Sequence, residues 1–221
     1  MQEQGKASEF HDISKNIFYP IYPVIAAQML ETRKGKEEGT CLDIGSGPGY
    51  VGLAIAKQTK MQVCLYDMSK EALEIAKKNI KEALLEDRVY VKLGNSEKIT
   101  FPDKSFDLVS SRGSLFFWQD KVKAINEILR VLKPGGTAYI GGGFGNRELK
   151  RMVDEKMLAI DQKWLTNAEE RRSSKEDYEC LMKKTKVNGF TIKDDDSGLW
   201  IVFKKILLNK EEPNEPISGI Y

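Results

Sequence analysis

Between Leu42 and Gly52 the chain reads LDIGSGPGYVG. An acid, Asp43, precedes three glycines at alternate positions, Gly45, Gly47 and Gly49, with Ser46 among them. Glycines spaced this way, between an apolar run and a helix-forming one, let the backbone turn sharply and let a ligand approach it closely. Gly47, Gly49 and Gly52 also satisfy the G-x-G-x-x-G dinucleotide template, and Asp67 stands 20 residues beyond Gly47 (67 − 47), where a ribose-binding acid belongs. A nicotinamide cofactor is therefore one candidate. That register, however, starts the template in the middle of the GSGPG loop and leaves Asp43 without a role. No obvious catalytic Tyr-x-x-x-Lys pair or histidine supports it either.

Three further stretches carry chemistry-bearing side chains. SSRGSLFFW (Ser110–Trp118) puts an arginine and three bulky aromatics where a loop should be. NIFYPIYPVIA brings Tyr19 and Tyr22 together with two prolines, just after His11, the single histidine of the chain. GGGFGNRELK is a second glycine-rich loop, carrying Phe144.

The elements that position these residues follow from periodicity. TCLDIG, MQVCLYD, RVYVKLG, FDLVSS and TAYIGGG are apolar or alternating runs that read as five strands. Between them lie helical patterns: YVGLAIAKQT, a segment capped by Ser69 with Leu73, Ala76, Ile80 and Leu84 on one face, and one capped by Asp120 with Val122, Ile125, Leu129 and Leu132. The last of these stops at KPGG, where Pro134 and the glycines break it. Alternation of this kind predicts a parallel sheet with helices on both faces. After Gly145 the rhythm changes. Residues 146–172 read as a charged helical insertion, residues 175–187 as a helix ending at Asn188–Gly189, and FTIKDDD and LWIVFKKI as an antiparallel pair joined at Ser197–Gly198. Residues 10–33 read as an amphipathic, broken helix. The boundaries predicted are one domain over 1–208 and an extended polar tail over 209–221.

Composition narrows the function. With 221 residues and 41% hydrophobic side chains, the chain can bury a sizeable core. A net charge of +2 does not point to nucleic acid or an anionic membrane. No apolar run is long enough to span a bilayer, and MQEQGKASEF lacks the layout of a signal peptide. Three cysteines without paired spacing fit a reduced, cytoplasmic protein, and one histidine without CxxC argues against a zinc site.

At four places in order, over roughly Thr40–Gly143, the sequence resembles the class I S-adenosylmethionine-dependent methyltransferases. LDIGSGPG is similar to their acid-plus-glycine loop, LYDMS to the end of their second strand, GNSEKITFPDKSFDLV to their third-strand loop and fourth strand, and ILRVLKPGG to the turn before their fifth strand. The resemblance implies a Rossmann-like, seven-stranded, mostly parallel α/β sheet of order 3-2-1-4-5-7-6 with an antiparallel last strand. It also implies roles. Gly45, Ser46, Gly47 and Gly49 form the cofactor loop, which Asp43 organises. Asp67 takes the ribose hydroxyls, Met68 lies on adenine or fills a core gap, and Asn95 and Ser96 meet the adenine ring. Asn95 departs from the aspartate common in the family, keeping an acceptor but no charge.

Beyond strand four, Ser111, Arg112 and Gly113 are expected at the methionine half of the cofactor, with solvation or an anionic substrate as alternatives for Arg112. Ser114, Phe117, Trp118 and Phe144 are expected to line the substrate site. Phe116 and Phe117 would otherwise plug the core. Residues 10–33 would serve as a lid and 146–172 as a cap. Tyr19, Tyr22 and His11 are the candidate catalytic groups. Asp107 reads as a residue of the fold. The [DN]PP[YF] signature of amino-methylating nucleic-acid enzymes is absent. The expected activity is S-adenosylmethionine-dependent methyl transfer to a small-molecule acceptor, yielding S-adenosylhomocysteine, without metal, nucleic-acid or membrane partner. The alternatives are a non-catalytic sensor or assembly protein that binds the same cofactor and, further off, a nicotinamide-dependent oxidoreductase.

Overall fold

The structure, a computed structural model, describes residues 6–170 and 173–206. The tail expected over 209–221 lies outside the described residues. Seven strands form one sheet: β1 (Thr40–Ile44), β2 (Gln62–Asp67), β3 (Val89–Leu93), β4 (Phe106–Arg112), β5 (Leu132–Gly142), β6 (Phe190–Asp195) and β7 (Gly198–Lys204). Their order is β3-β2-β1-β4-β5-β7-β6. β1 to β5 run parallel, and β7 pairs antiparallel with both β5 and β6. The Asp195–Gly198 turn dictates the last pairing, because so short a connection returns a strand only beside its predecessor.

Helices cover both faces: α1 (Lys6–Ile13), α2 (Ile21–Glu31), α3 (Tyr50–Gln58), α4 (Lys70–Glu82), α5 (Lys121–Val131), α6 (Arg147–Leu158), α7 (Trp164–Glu170) and α8 (Lys175–Met182). The caps are local chemistry. Ser69 Oγ accepts from Ala72 N–H at the start of α4, and Asp120 Oδ1 from Lys123 N–H at the start of α5. One core face packs Ile21, Ile25, Met29, Ile55 and Leu65; the other packs Leu42, Val109, Ile125, Ile128 and Ile140. A sheet buried on both faces explains why β1, β2 and β4 read as continuous apolar runs rather than alternating ones.

The broken N-terminal helix resolves into α1, a π-helical turn over Ser14–Phe18, and α2, with Pro20 at the α2 N-cap. The missing N–H of Pro20 is harmless at that position. The last helix ends at Met182, short of the expected Val187. Thr185 Oγ1 donates to Met182 C=O and accepts from Val187 N–H, and Asn126 Oδ1 takes Lys186 N–H, so side chains replace the next helical turn. Asp107 is a residue of the fold: its Oδ2 accepts from Thr40 N–H, Thr40 Oγ1 and Lys133 Nζ, tying together the starts of β1, β4 and β5. Among the described residues, no helix is long and apolar enough to cross a membrane.

Candidate cofactor and substrate site

The carboxyl ends of β1, β2 and β4 bring the glycine loop, Asp67 and the Ser111–Trp118 loop to one edge of the sheet, where ligands bind in open α/β folds. Gly45, Gly47 and Gly49 all have positive φ, at 63°, 52° and 87°. Gly45 is also packed: a Cβ there would lie 2.3 Å from Ser114 Cβ. Asp43 is buried beneath the loop, where Oδ2 accepts from Gly52 N–H and Oδ1 from Ser110 Oγ–H. Burial pushes its carboxyl up to about 7, against the two hydrogen bonds, with the Asp67 charge adding to the rise. Asp43 thus organises the loop from below and offers no oxygen to a ligand above it.

Asp67 faces the loop from the end of β2. Its Oδ2 accepts from Gly47 N–H and its Oδ1 from Ser69 N–H, each at 2.8 Å. Each carboxylate oxygen keeps acceptor capacity beyond that bond, which suits a vicinal diol. Met68 follows with its side chain 76% exposed, so it lies at the rim and fills no core gap. Asn95 Oδ1 accepts from Glu97 N–H, and Ser96 is buried in the same turn.

The β4 loop divides its aromatics differently from the sequence expectation. Leu115 and Trp118 are buried in the core cluster under α5, whereas Phe116 is half-exposed and Phe117 is 73% exposed, the two rings 4.0 Å apart. Trp118 is thus core packing and not a pocket wall, and the phenylalanines do not plug the core. Ser114 is buried too; its Oγ lies 2.6 Å from Ser111 Oγ and donates to Ile44 C=O at 3.3 Å, which fastens this loop under Gly45. Gly113, at φ 76°, has no atom within 4 Å of where a Cβ would stand.

Arg112 is not a solvated side chain. Its Nε and Nη2 both donate to Gly143 C=O, and its guanidinium lies 5.3, 5.8 and 5.5 Å from the rings of Phe18, Tyr22 and Phe144. It therefore points toward the loop after β5 and the N-terminal segment. Phe144 meets Phe18 edge-on at 6.2 Å, as one wall of this box.

Sequence reasoning missed Tyr50, which starts α3 directly after the glycine loop. It stacks on Tyr22 at 5.2 Å, meets Tyr19 edge-on at 6.3 Å, and its OH lies 3.2 Å from His11 Nδ1. The signal was present in GPGY: an aromatic at the mouth of a ligand loop. Through the His11 contact α1 reaches across the loop, and Phe10 lies 3.6 Å from where a Gly47 Cβ would stand. Tyr22 is buried and Tyr19 is about half-exposed.

The residues present fit an adenosyl cofactor. Ser46 Oγ is buried without a hydrogen-bond partner beside the glycines, an acid stands opposite, and Gly113 leaves the backbone open to close approach. Among the described residues, no cluster of His, Cys, Asp and Glu is arranged to hold a metal.

Comparison with known proteins agrees with this geometry. A family profile described as a methyltransferase domain matches residues 42–140. A crystal structure from Methanococcus maripaludis, assigned as an S-adenosyl-L-methionine-dependent methyltransferase, superposes with a TM-score of 0.88 at 39% identity, covering 93% of this chain and 94% of that one. Demethylmenaquinone methyltransferase of Chlorobaculum parvum is 35% identical over 118 residues, 53% of this chain and 46% of that protein. The ubiquinone/menaquinone biosynthesis C-methyltransferase UbiE of Geobacter sulfurreducens is 34% identical over 47% of this chain and 41% of its own length. The chain thus spans less than half the length of these curated relatives.

Proposed function

The chain belongs to the S-adenosylmethionine-dependent methyltransferases, and from that membership we propose that it transfers a methyl group to a small-molecule acceptor, releasing S-adenosylhomocysteine. The observation that carries this reading is the meeting of the GSGPG loop with the Asp67 carboxylate through the Gly47 N–H bond, at the edge of a sheet with this family's order. The cofactor supplies an electrophilic methyl on a sulfonium cation. The chain supplies binding and position. Asp67 takes the ribose hydroxyls, Asn95 and Ser96 border the adenine, Met68 covers it from the rim, and Phe117 faces the acceptor. Asp43 holds the loop from below through Gly52. Gly113, with no atom within 4 Å of where a Cβ would stand, opens the path to the acceptor, while Ser111 is buried against Ser114.

Two segments complete the enclosure in this reading. α1, with Phe10 over Gly47 and His11 on Tyr50, is a lid. α6 and α7 cap the acceptor mouth, with Trp164 against Phe18 at 6.1 Å. Water exclusion and in-line placement of the acceptor are what this enclosure contributes to rate. His11 and Tyr22 are each tied into the aromatic cluster and only Tyr19 is open to solvent, so we assign no general base; an acceptor already nucleophilic at carbon, nitrogen or sulfur needs none. The relatives that methylate quinone precursors support a small organic acceptor.

The test is calorimetric titration with S-adenosylmethionine, S-adenosylhomocysteine and NADH, followed by transfer of labelled methyl to a panel of small metabolites. Binding of the first two without NADH, plus label transfer, is expected. Binding without transfer to any acceptor would favour the sensor reading, and binding of NADH alone would refute the proposal.

A further inference from the structure

Arg112 presents an unmet requirement. A guanidinium stays charged at any physiological pH, and drawing a charge partly out of water without a counter-charge, as in the partly buried Arg112, is costly. Among the described residues no carboxylate pairs with Arg112. Its hydrogen-bond partner is one neutral carbonyl, Gly143 C=O, which occupies the Nε–Nη2 edge. Three N–H groups are left over, including the pair on the terminal Nη1–Nη2 edge. Around them stand the faces of Phe18, Tyr22 and Phe144. Ring faces soften the charge but do not satisfy directional N–H donors. Desolvation holds the Arg112 pKa below the ordinary arginine value, and burial raises that of the Tyr22 phenol, so Tyr22 remains a neutral donor.

A second, independent observation lies in the same place. Ser14 Oγ, buried in the π-helical turn, has the Tyr22 hydroxyl within hydrogen-bonding reach and no other partner. A forked cation and a phenol–serine hydroxyl pair thus meet beside three ring faces, between the end of β4, the loop after β5 and the N-terminal segment.

We propose that this is the binding site for a carboxylate on the methyl acceptor, gripped by the free edge of Arg112 and by the hydroxyls of Tyr22 and Ser14, with the three rings enclosing the adjoining carbon skeleton. The proposal rests on the methyltransferase reading and adds the acceptor's chemical class. A planar monoanion matches the fork geometry, and one cation balances one negative charge. The other nearby cation, Lys150, is already paired with Asp154. Arg112 is bonded to Gly143 in the loop leading into α6, and Phe18 of the same ring group meets Trp164 of α7 at 6.1 Å, so the site lies under the α6–α7 cap and is assigned to the acceptor.

The probe is benzoate, titrated into the full chain saturated with S-adenosylhomocysteine, with benzamide as the neutral isostere. Benzoate is expected to bind at least about tenfold tighter than benzamide, and Arg112→Gln to erase that preference while S-adenosylhomocysteine affinity stays within about twofold. Arg112→Lys, which keeps the charge but not the fork, is expected to lose most of the preference, and Tyr22→Phe part of it. It also serves if the glutamine variant melts at a lower temperature or fails to fold. Equal binding of the two probes, or no binding of benzoate, overturns the proposal. So does a variant that loses S-adenosylhomocysteine affinity yet keeps benzoate, since the carboxylate held would then be the cofactor's. Failure of the parent to bind S-adenosylhomocysteine at all would sink the methyltransferase reading instead.

Discussion

Replacing Asp67 with alanine removes the acceptor of two backbone N–H groups, Gly47 and Ser69, at 2.8 Å each. Both donors lie at a half-buried position from which water can reach them, so the loss of stability should fall at the low end of the range for hydrogen bonds to a charged group, roughly 1.5 kcal/mol. The larger effect is on binding. Two ribose hydroxyls would lose a carboxylate and regain water, a net loss of roughly 1.5–3 kcal/mol, or about 10- to 150-fold in affinity. Asp67→Asn sharpens the test. The two N–H groups point at different carboxylate oxygens, so an amide must turn its NH2 toward one of them. It gains a donor–donor clash there and offers only one oxygen to the diol. The asparagine variant should therefore bind nearly as poorly as the alanine variant. Calorimetric titration with S-adenosylhomocysteine and its 2′-deoxy analogue reads this directly, because loss of the hydroxyl and loss of the carboxylate should not add. Parent-like affinity in a folded alanine variant, or full additivity with the deoxy ligand, would refute the ribose assignment.

Other expectations follow from the same geometry. Asp43 is raised to about 7 in the fold from an ordinary 3.8, so the folded state holds the extra proton between those values. The associated stability is present below the lower value and is lost as pH rises through the upper one. The melting temperature should fall from pH 5 to pH 8, and Asp43→Asn should flatten that slope; an equal slope in the variant would place the titration elsewhere. Trp118→Ala should cost about 3–5 kcal/mol of stability, as for a buried tryptophan, while Phe117→Ala should cost under about 0.5 kcal/mol and lower turnover more than cofactor affinity. Chemical unfolding and methyl-transfer kinetics separate the two. Gly45→Ala should abolish S-adenosylhomocysteine binding and destabilise, because its Cβ would meet Ser114 at 2.3 Å. Gly113→Ala, with only its positive φ against it, should cost about 1–2 kcal/mol in unfolding experiments.

The features legible in the sequence were those governed by local rules. Ser69 and Asp120 cap their helices because short polar side chains at helix starts bond nearby N–H groups wherever they occur. Asp67 was placed correctly at the end of β2, facing the loop, because strand length and a following cap leave it no other position. What could not be read was the facing of side chains in irregular backbone. In the Leu115–Phe117 turn no period of 2 or 3.6 says which aromatic points inward, so Trp118, expected beside Phe117 at the substrate site, lies in the core while Phe117 is exposed. The partial enclosure of Arg112 depends on Phe18, Tyr22 and Phe144, two separate stretches of chain that only the fold unites. The early end of α8 depends on Asn126, sixty positions from its partner Lys186.

The central claim is that the ribose sits on Asp67 and that the reacting sulfur faces the Ser111–Phe117 loop. A crystal structure of the complex with S-adenosylhomocysteine tests it in one measurement. The account predicts both ribose hydroxyls at hydrogen-bond distance from the Asp67 carboxylate, the homocysteine chain over Gly45–Gly47, and the sulfur next to Gly113, with the Arg112 guanidinium still turned toward Gly143. A ligand lying elsewhere, or one whose sulfur points toward β2 and away from the β4 loop, would contradict it.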